Sequence, residues 1–552
     1  MHRTHAGLMT ALLAGATLLG AGVVSTGADA SAASTSFSGP AYPADQPDCR
    51  PFFNSTPPVQ RPYGLTPRQW QSPVGLPTAI EGTPAPQRLV LLERDQNPDA
   101  TGVAQLLGLC GLPPVTITQV GDVGVPNSGE ATLDAAVAAA GLPPNTELWM
   151  ANSNSPSWGT VIATSAEACG IDTTVTPPVK RIAAVSPSQP AWPAGGCIIS
   201  ASYSANESDY FPGPSAGTSE AITLLDDLQA LGVIVVFSAG DESSGGCSTN
   251  AGTPPASVGL QTRFPTSHPA VLGVGGTQWD DQTTSMANGR DVPYVPGATY
   301  SNWVWKDTFA SAKCANYRPD LGALAGGYSG GGGKSIHFDQ PAYQQAASAV
   351  NYPGNPGRRL VPDVSAMAAW PMYALRRDNA WENNGGTSAA APSVAVGIAN
   401  VNASLSARGL PVIDNAGGSM DIHNLLYDPG MSSAIADVTQ GNNDLFGFDG
   451  STVMPGYSPS MPAWTAQPGY DMASGLGVIN FTDLLNSLIA RLTSTPSAPA
   501  PWHQAIGRPS ATATCQSGWH PSWAQWPNGG AGGWTCERIL RWVSWSLPWQ
   551  AD

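Results

Sequence analysis

From Arg88 onward the chain alternates short, continuous apolar runs with longer segments of helical character, and that rhythm admits few folds. Leu89-Val90-Leu91-Leu92 is followed by a helix-like Ala100–Cys110, and the run Val115–Val120 by a helix-like Gly129–Ala140. Leu148–Met150, Ile182–Val185, Cys197–Ser200 and Val233–Ser238 are further strand candidates, and Ser219–Gly232, Pro341–Val350 and Ala389–Arg408 are further helices. Strands that are apolar at every position rather than at alternate ones have both faces covered, as in parallel sheets with helical crossovers. The expected class is therefore α/β, a parallel sheet with helices on both faces.

The charge balance excludes several functions. The 552 residues hold 39 acidic against 23 basic side chains, a net charge of −16, so a basic footprint for nucleic acid or anionic lipid is absent. Charged residues make up only 11% of the chain, against about 25% in ordinary soluble domains, which rules out coiled coils and charge-laced helical arrays. A chain with few cations and few ion pairs also suits work in acid, where carboxylates take up protons and salt bridges break.

At the start, His2, Arg3 and His5 precede an apolar stretch from Ala6 to Val24 and then Ala28-Asp29-Ala30. This reads as a cleaved signal peptide over residues 1–30 and predicts a secreted, extracellular protein. No later run is long and apolar enough to span a bilayer. Eight cysteines without any Cys-x-x-Cys pair predict disulfides rather than a metal site in an exported chain. Cys515 and Cys536 are expected to pair with each other, and the connectivity of the other six is left open. Residues 31–63 are Ser/Pro-rich and read as an extended segment, 64–495 as the main domain, and 496–552 as a linker and tail. The tail holds eight of the 18 tryptophans, between Trp502 and Trp549. Such a cluster can stack on cell-wall glycan, or it can simply form the core of a small disulfide-containing unit.

Three short segments carry chemistry. Gly385-Gly386-Thr387-Ser388-Ala389-Ala390-Ala391-Pro392 places a serine directly ahead of an apolar helix. Ser388 can be a plain helix cap, but the flanking glycines and alanines leave room for a substrate to reach a nucleophile. A serine nucleophile needs a base, and none of the seven histidines stands in a Gly-His-Gly-Thr setting. Glu130 and Asp134 stand four residues apart at the start of an alanine-rich helix, hence on one face. They are either solvated acids welcomed by the helix dipole or a base with a supporting acid. Val233–Ala239 is an apolar strand that ends at Gly240-Asp241, where α/β sheets gather site residues. Asp241 can instead tighten the following turn.

Taken together, Glu-x-x-x-Asp, Ser-Ala-Gly-Asp and Gly-Gly-Thr-Ser-Ala-Ala-Ala-Pro, in this order, resemble the sedolisin family of serine-carboxyl peptidases. The likeness continues through Phe264–Pro269, Val274–Thr277, Ser329–Gly333 and Val361–Ser365, and spans roughly residues 64–490. It implies a subtilisin-like fold in which Ser388 is the nucleophile, Glu130 its general base, Asp134 the acid that orients Glu130, and Asp241 the oxyanion-hole side chain. It also implies one Ca2+ site, with carboxylates Asp437 and Asp471 and the carbonyls of Val438, Gln467 and Gly469. Gln467 stands where the family commonly has glycine. Ser200, Ser202 and Ser204 lie on a segment that would offer a backbone edge to a polypeptide substrate. The family usually carries a large folded propeptide, whereas only residues 31–64 separate Ala30 from Leu65 here. The expectation is thus a secreted, acid-acting peptidase, monomeric by default. A catalytically silent relative that binds a cell wall or partner through its tail is the alternative, and a classical subtilisin is disfavoured because Glu130 and Asp134 would be idle.

Overall fold

The computed structural model describes residues 64–494 apart from position 78, segments 212–215, 243–261, 281–296, 308–327 and 347–356, position 370, and segment 444–464; it also describes residues 36–38, Cys49 and two strand backbones near the C-terminus. Among these residues one mixed sheet of eleven strands forms the centre. In chain order they are β1 (Ser36–Ser38), β2 (Gln87–Glu93), β3 (Ile117–Gly121), β4 (Thr146–Asn152), β5 (Cys197–Ala201), β6 (Ile234–Ser238), β7 (Val271–Asp280), β8 (Thr299–Val304), β9 (Val364–Met367), β10 (Ile435–Ala436) and β11 (Val478–Ile479). Their order across the sheet is β10-β11-β9-β7-β6-β5-β2-β4-β3, with β8 on β7 and β1 on β8. The run from β11 to β3 is parallel throughout. The pairs β10–β11, β7–β8 and β1–β8 are antiparallel.

The alternation of side chains along the strands sorts them between two apolar layers. Leu89 and Leu91 of β2 face one layer, with α1 (Ala100–Leu109), α2 (Gly129–Gly141), α5 (Thr387–Ala407) and α6 (Phe481–Thr493). Val90 and Leu92 face the other, with α3 (Trp158–Cys169) and α4 (Ala216–Ala230). β2 is buried at all seven positions, as its unbroken apolar run predicts for a central strand covered on both sides. α5 is buried from Thr387 to Leu405. A helix apolar on every side has no outer face, so its first turn is held firmly inside the molecule.

The structure differs from the sequence reading at Ile182–Val185, which is not a strand. Ile182 is fully exposed and Val185 largely so, and this stretch bonds within its own loop, Val185 N–H donating to the Gln189 carbonyl at 2.9 Å. Four apolar residues among prolines carry too little periodicity to identify a strand. Two disulfides are described. Cys49–Cys110 ties the extended N-terminal segment to the end of α1, and Cys169–Cys197 ties the end of α3 to the start of β5. Cys247, Cys314 and Cys515 lie outside the described residues. No helix among the described residues is long and apolar enough to cross a membrane.

Residues 493–552 form a second compact unit. Its described backbone is an antiparallel hairpin of Trp519–Ala524 and Gly533–Arg538, in which Trp523 opposes Trp534 and Pro521 opposes Cys536. The tryptophan side chains of this tail, read above either as a glycan-stacking cluster or as a small core, lie outside the described residues.

Candidate active site

The parallel strands deliver their C-terminal residues to one end of the sheet, which is where doubly wound folds gather ligands. Glu93 ends β2, Ser202 follows β5, and Asp241 lies three positions beyond β6. Two helices begin at the same end. α2 starts after Ser128, with Glu130 in its first turn and Asp134 one turn further along the same face. α5 starts after Gly386, so Ser388 is its second residue and not its cap.

Ser202 joins the two helices. Its hydroxyl lies 2.6 Å from Asp134 Oδ2 and 3.1 Å from the Ser388 carbonyl oxygen. A hydroxyl has one proton and the carbonyl can only accept. Both contacts are satisfied at once when Ser202 donates to Ser388 and a protonated Asp134 donates to Ser202. The surroundings favour that state: burial first, then the nearby Glu130, push the Asp134 carboxyl well above the usual carboxylate range.

Glu93 completes the carboxyl cluster, and sequence reasoning missed it. It is fully buried, and neither of its oxygens has a hydrogen bond of ordinary geometry. Its polar neighbours are Asp134, Glu130 and Tyr203. Burial, followed by repulsion from Asp134 and Glu130, raises its carboxyl well above the ordinary value. A signal existed: Glu93 is a lone carboxylate at the end of an apolar strand, the same pattern that singles out Asp241.

On the other side of Ser388, Asp241 Oδ1 accepts from the Thr387 N–H at 2.8 Å and from the Thr387 hydroxyl at 2.6 Å. Thr387 Oγ1 in turn accepts from the Gly240 N–H at 3.1 Å. Asp241 Oδ2 lies over Gly386, whose φ is +93° and where an added Cβ would stand 2.5 Å from that oxygen. Glycine is therefore required by both backbone angle and space. The described core histidines are engaged elsewhere. His268 sits 3.6 Å from Asp226 and against Phe338, His337 stacks on Phe211, and His423 bonds Asn415.

Ser200 lies inside β5, paired to Leu91 on one side and Val236 on the other. Its backbone is consumed by the sheet and its side chain is buried, so it offers no edge to a peptide. Ser202 and Ser204 lie beyond the paired region, with the Ser204 carbonyl held by Arg263 Nη1 at 2.9 Å.

The second predicted centre is built by two loops after β10. Asp437 Oδ2 accepts from the Gly469 N–H at 2.7 Å, while its Oδ1 is buried without a hydrogen-bond partner. Asp471 accepts from the N–H groups of Gln467, Ala473 and Ser474 and from the Ser474 hydroxyl. Burial raises both carboxyls, Asp471 to about 7. Gln467 is outside the left-handed region, so a side chain costs the backbone nothing there. Among the described residues no three or more His, Cys, Asp or Glu side chains group around a common metal position.

Comparison with known proteins identifies relatives of this chain. The Subtilase family model matches residues 136–408, a stretch that contains Asp241 and Ser388 and begins two positions after Asp134. Sedolisin of Pseudomonas sp. (strain 101) is 30% identical over 258 residues, covering 46% of this chain and 35% of its own. Kumamolisin of Bacillus sp. (strain MN-32) is 29% identical over 297 residues, 53% of this chain and 42% of its own. The chain belongs to the sedolisin family. Tripeptidyl-peptidase SED2 of Arthroderma otae is 26% identical over 301 residues, 53% of this chain and 41% of its own. The matched region thus spans about four-tenths of these relatives' length. The solved Pseudomonas sedolisin, a serine-carboxyl proteinase in complex with pseudo-iodotyrostatin, superposes with a TM-score of 0.53 at 21% identity, covering 78% of this chain and 99% of that one. Its fold is the sedolisin fold described above, an α/β sheet flanked by helices.

Proposed function

We propose that this sedolisin-family chain is a secreted peptidase that cleaves polypeptides in acid, with Ser388 as nucleophile and Glu130 as its general base. The observation that carries this reading is the Ser202 hydroxyl, shared between Asp134 Oδ2 and the Ser388 carbonyl. It brings the turn that holds the serine against the helix that holds the acids. Ser388 Oγ attacks the peptide carbonyl carbon and its proton passes to Glu130. The oxyanion that forms accepts hydrogen bonds from the Ser388 N–H at the start of α5 and from a protonated Asp241. Thr387 donates twice to Oδ1 of that carboxyl, and in this reading Oδ2 carries the proton. Glu130 then protonates the leaving amine, and water releases the acyl group by the reverse sequence.

The acidity follows from the residue types. A carboxylate base works best near its own pKa, about 4.3 for an ordinary Glu, whereas a histidine base would work near neutrality. Asp241 donates a hydrogen bond only while protonated, which points the same way. Residues 202–204 supply the backbone edge for the substrate. Calcium would be held by Asp437 and Asp471 with the carbonyls of Val438, Gln467 and Gly469. The orphaned Asp437 Oδ1 beside the fully buried Asp471 fits an oxygen-rich divalent site, which would fix the loops that carry these residues. Two disulfides agree with export.

The test is a pH–activity profile on an unfolded protein from pH 2 to 8, run beside Ser388→Ala and Glu130→Ala. Maximal cleavage near pH 3–5 that both substitutions abolish is expected. Cleavage that survives Ser388→Ala would assign the reaction to another group.

A further inference from the structure

Arg263 and Glu242 stand beside Asp241 and have no part in the chemistry described so far. Arg263 belongs to a two-residue strand, Arg263–Phe264, paired antiparallel with Ala205–Asn206. Its Nη1 donates to the Ser204 carbonyl at 2.9 Å, and its Nη2 forms an ion pair with Glu242 Oε2. The same Glu242 oxygen accepts from the Asp241 N–H at 3.1 Å. The Arg263 stem lies under Gly240, where φ is +100° and an added Cβ would stand 2.5 Å from Arg263 Cδ. Both side chains are mostly buried, at 15% and 12% exposure. From the other side, the Ser329 N–H donates to the Asp241 carbonyl at 3.1 Å.

One guanidinium thus spans the segment that presents Ser204 and the peptide that carries Asp241. We infer that Arg263 and Glu242 are a positioning pair that fixes the Asp241 carboxyl over the start of α5 and couples its placement to the substrate edge. The inference rests on the peptidase reading above. The argument is geometric. A side chain is aimed by its backbone, and the Asp241 N–H is bound to a carboxylate that an ion pair holds still. An oxyanion donor contributes only when it is held close to the position where charge develops. A free Glu242 would sample rotamers, and the Asp241 peptide would lose one of its two anchors.

The experiment is a double-mutant cycle between Arg263 and Asp241, read as kcat and KM on a chromogenic peptide at the acid optimum. Arg263→Met keeps the stem under Gly240 and removes both polar contacts. Its expected effect is a fall of roughly tenfold in kcat, less than the ~10²–10³ typical of losing the donor outright. Arg263→Lys keeps the ion pair with Glu242 and should recover most of that loss. In an Asp241→Ala background Arg263→Met should cost less than twofold, because no carboxyl remains to be aimed. An additive cycle, or an unchanged kcat in Arg263→Met, overturns the pairing while leaving the peptidase reading intact, provided wild-type cleavage still depends on Ser388. Wild-type protein silent at every pH removes both. If Arg263→Met does not fold, Glu242→Ala gives the same cycle with the same expected non-additivity.

Discussion

Gly386→Ala separates backbone strain from chemistry in one position. The residue has φ +93° and ψ 171°, a region essentially reserved for glycine, so any side chain costs of order 1–3 kcal/mol in folding free energy. The new Cβ would also meet Asp241 Oδ2 at 2.5 Å and the carboxyl carbon at 3.2 Å. Asp241 must move, and the hydrogen bonds it accepts from Thr387 at 2.6 and 2.8 Å must break or follow. If Asp241 is the oxyanion donor, its displacement lowers kcat by about 10²–10³, the range for loss of one such donor. Gly409→Ala is the matched control. It has φ +67° just past the end of α5, with no atom near the position of its missing Cβ, so it carries a comparable strain cost without touching the site. The assays are urea unfolding and kcat on an unfolded protein substrate at pH 4. Both variants should be destabilised, Gly386→Ala by more because Asp241 must also move, and only Gly386→Ala should lose turnover. A Gly386→Ala protein that keeps kcat within threefold of wild type would refute the placement of Asp241 in the reaction.

Three further perturbations probe what holds the site. Arg359 and Asp363 form a fully buried bidentate pair, 2.7 and 2.6 Å, which Tyr427 and the Gly273 N–H also bond. Arg359→Met strands that carboxylate and should cost about 3–5 kcal/mol by denaturant unfolding near neutral pH; a loss under 1 kcal/mol would contradict the geometry. Glu93 and Asp134 are held above the ordinary carboxylate range, both mainly by burial, Glu93 also by the charges of Asp134 and Glu130 and Asp134 by that of Glu130, so the folded state keeps protons that the unfolded state releases. Stability should therefore fall as pH rises above about 4, by roughly 1.4 kcal/mol per pH unit for each retained proton, and Glu93→Gln should flatten that slope between pH 4 and 6. Parallel stability curves for the two proteins would remove Glu93 from the cluster. Chelation with EGTA near neutral pH should lower the thermal midpoint of wild type but not of Asp437→Ala, since bound ligand at about a hundred times its Kd adds roughly 2.7 kcal/mol. Equal shifts in both proteins would place the ion elsewhere.

The parts legible in the sequence are those where one residue type suits one environment. Leu89–Leu92 and Val233–Ser238 announced a covered parallel sheet because each is apolar at every position, and both lie at its centre. Glu130 and Asp134 are fixed on one face by helical spacing alone, and the glycines before Ser388 announce open space in front of the serine. What stayed hidden depends on contacts between segments far apart in the chain. Ser202 meets Asp134 across 68 positions and Ser388 across 186, and no local pattern encodes either distance. Asp363 lies inside the Val361–Ser365 motif, but its pairing with Arg359 is framed by Val271, Gln344 and Tyr427 from three other segments. The same limit explains Ser200, where the apolar run predicts the strand and its two neighbours decide that no edge is left.

Glu93 shows how much a single hidden group changes the chemistry. Read without it, Glu130 and Asp134 are an acid pair at a helix start, where the dipole favours their charged forms. With Glu93 buried beside Asp134, burial first and like-charge repulsion second hold protons on these inner two carboxyls. Glu93 and Asp134 are the two fully buried members of the cluster, and Glu130 is the half-exposed one. The division of roles comes from burial depth, since all three groups are ordinary carboxyls. In the proposed reaction the base therefore ionises beside two neighbours that hold their protons more tightly than ordinary carboxyls do.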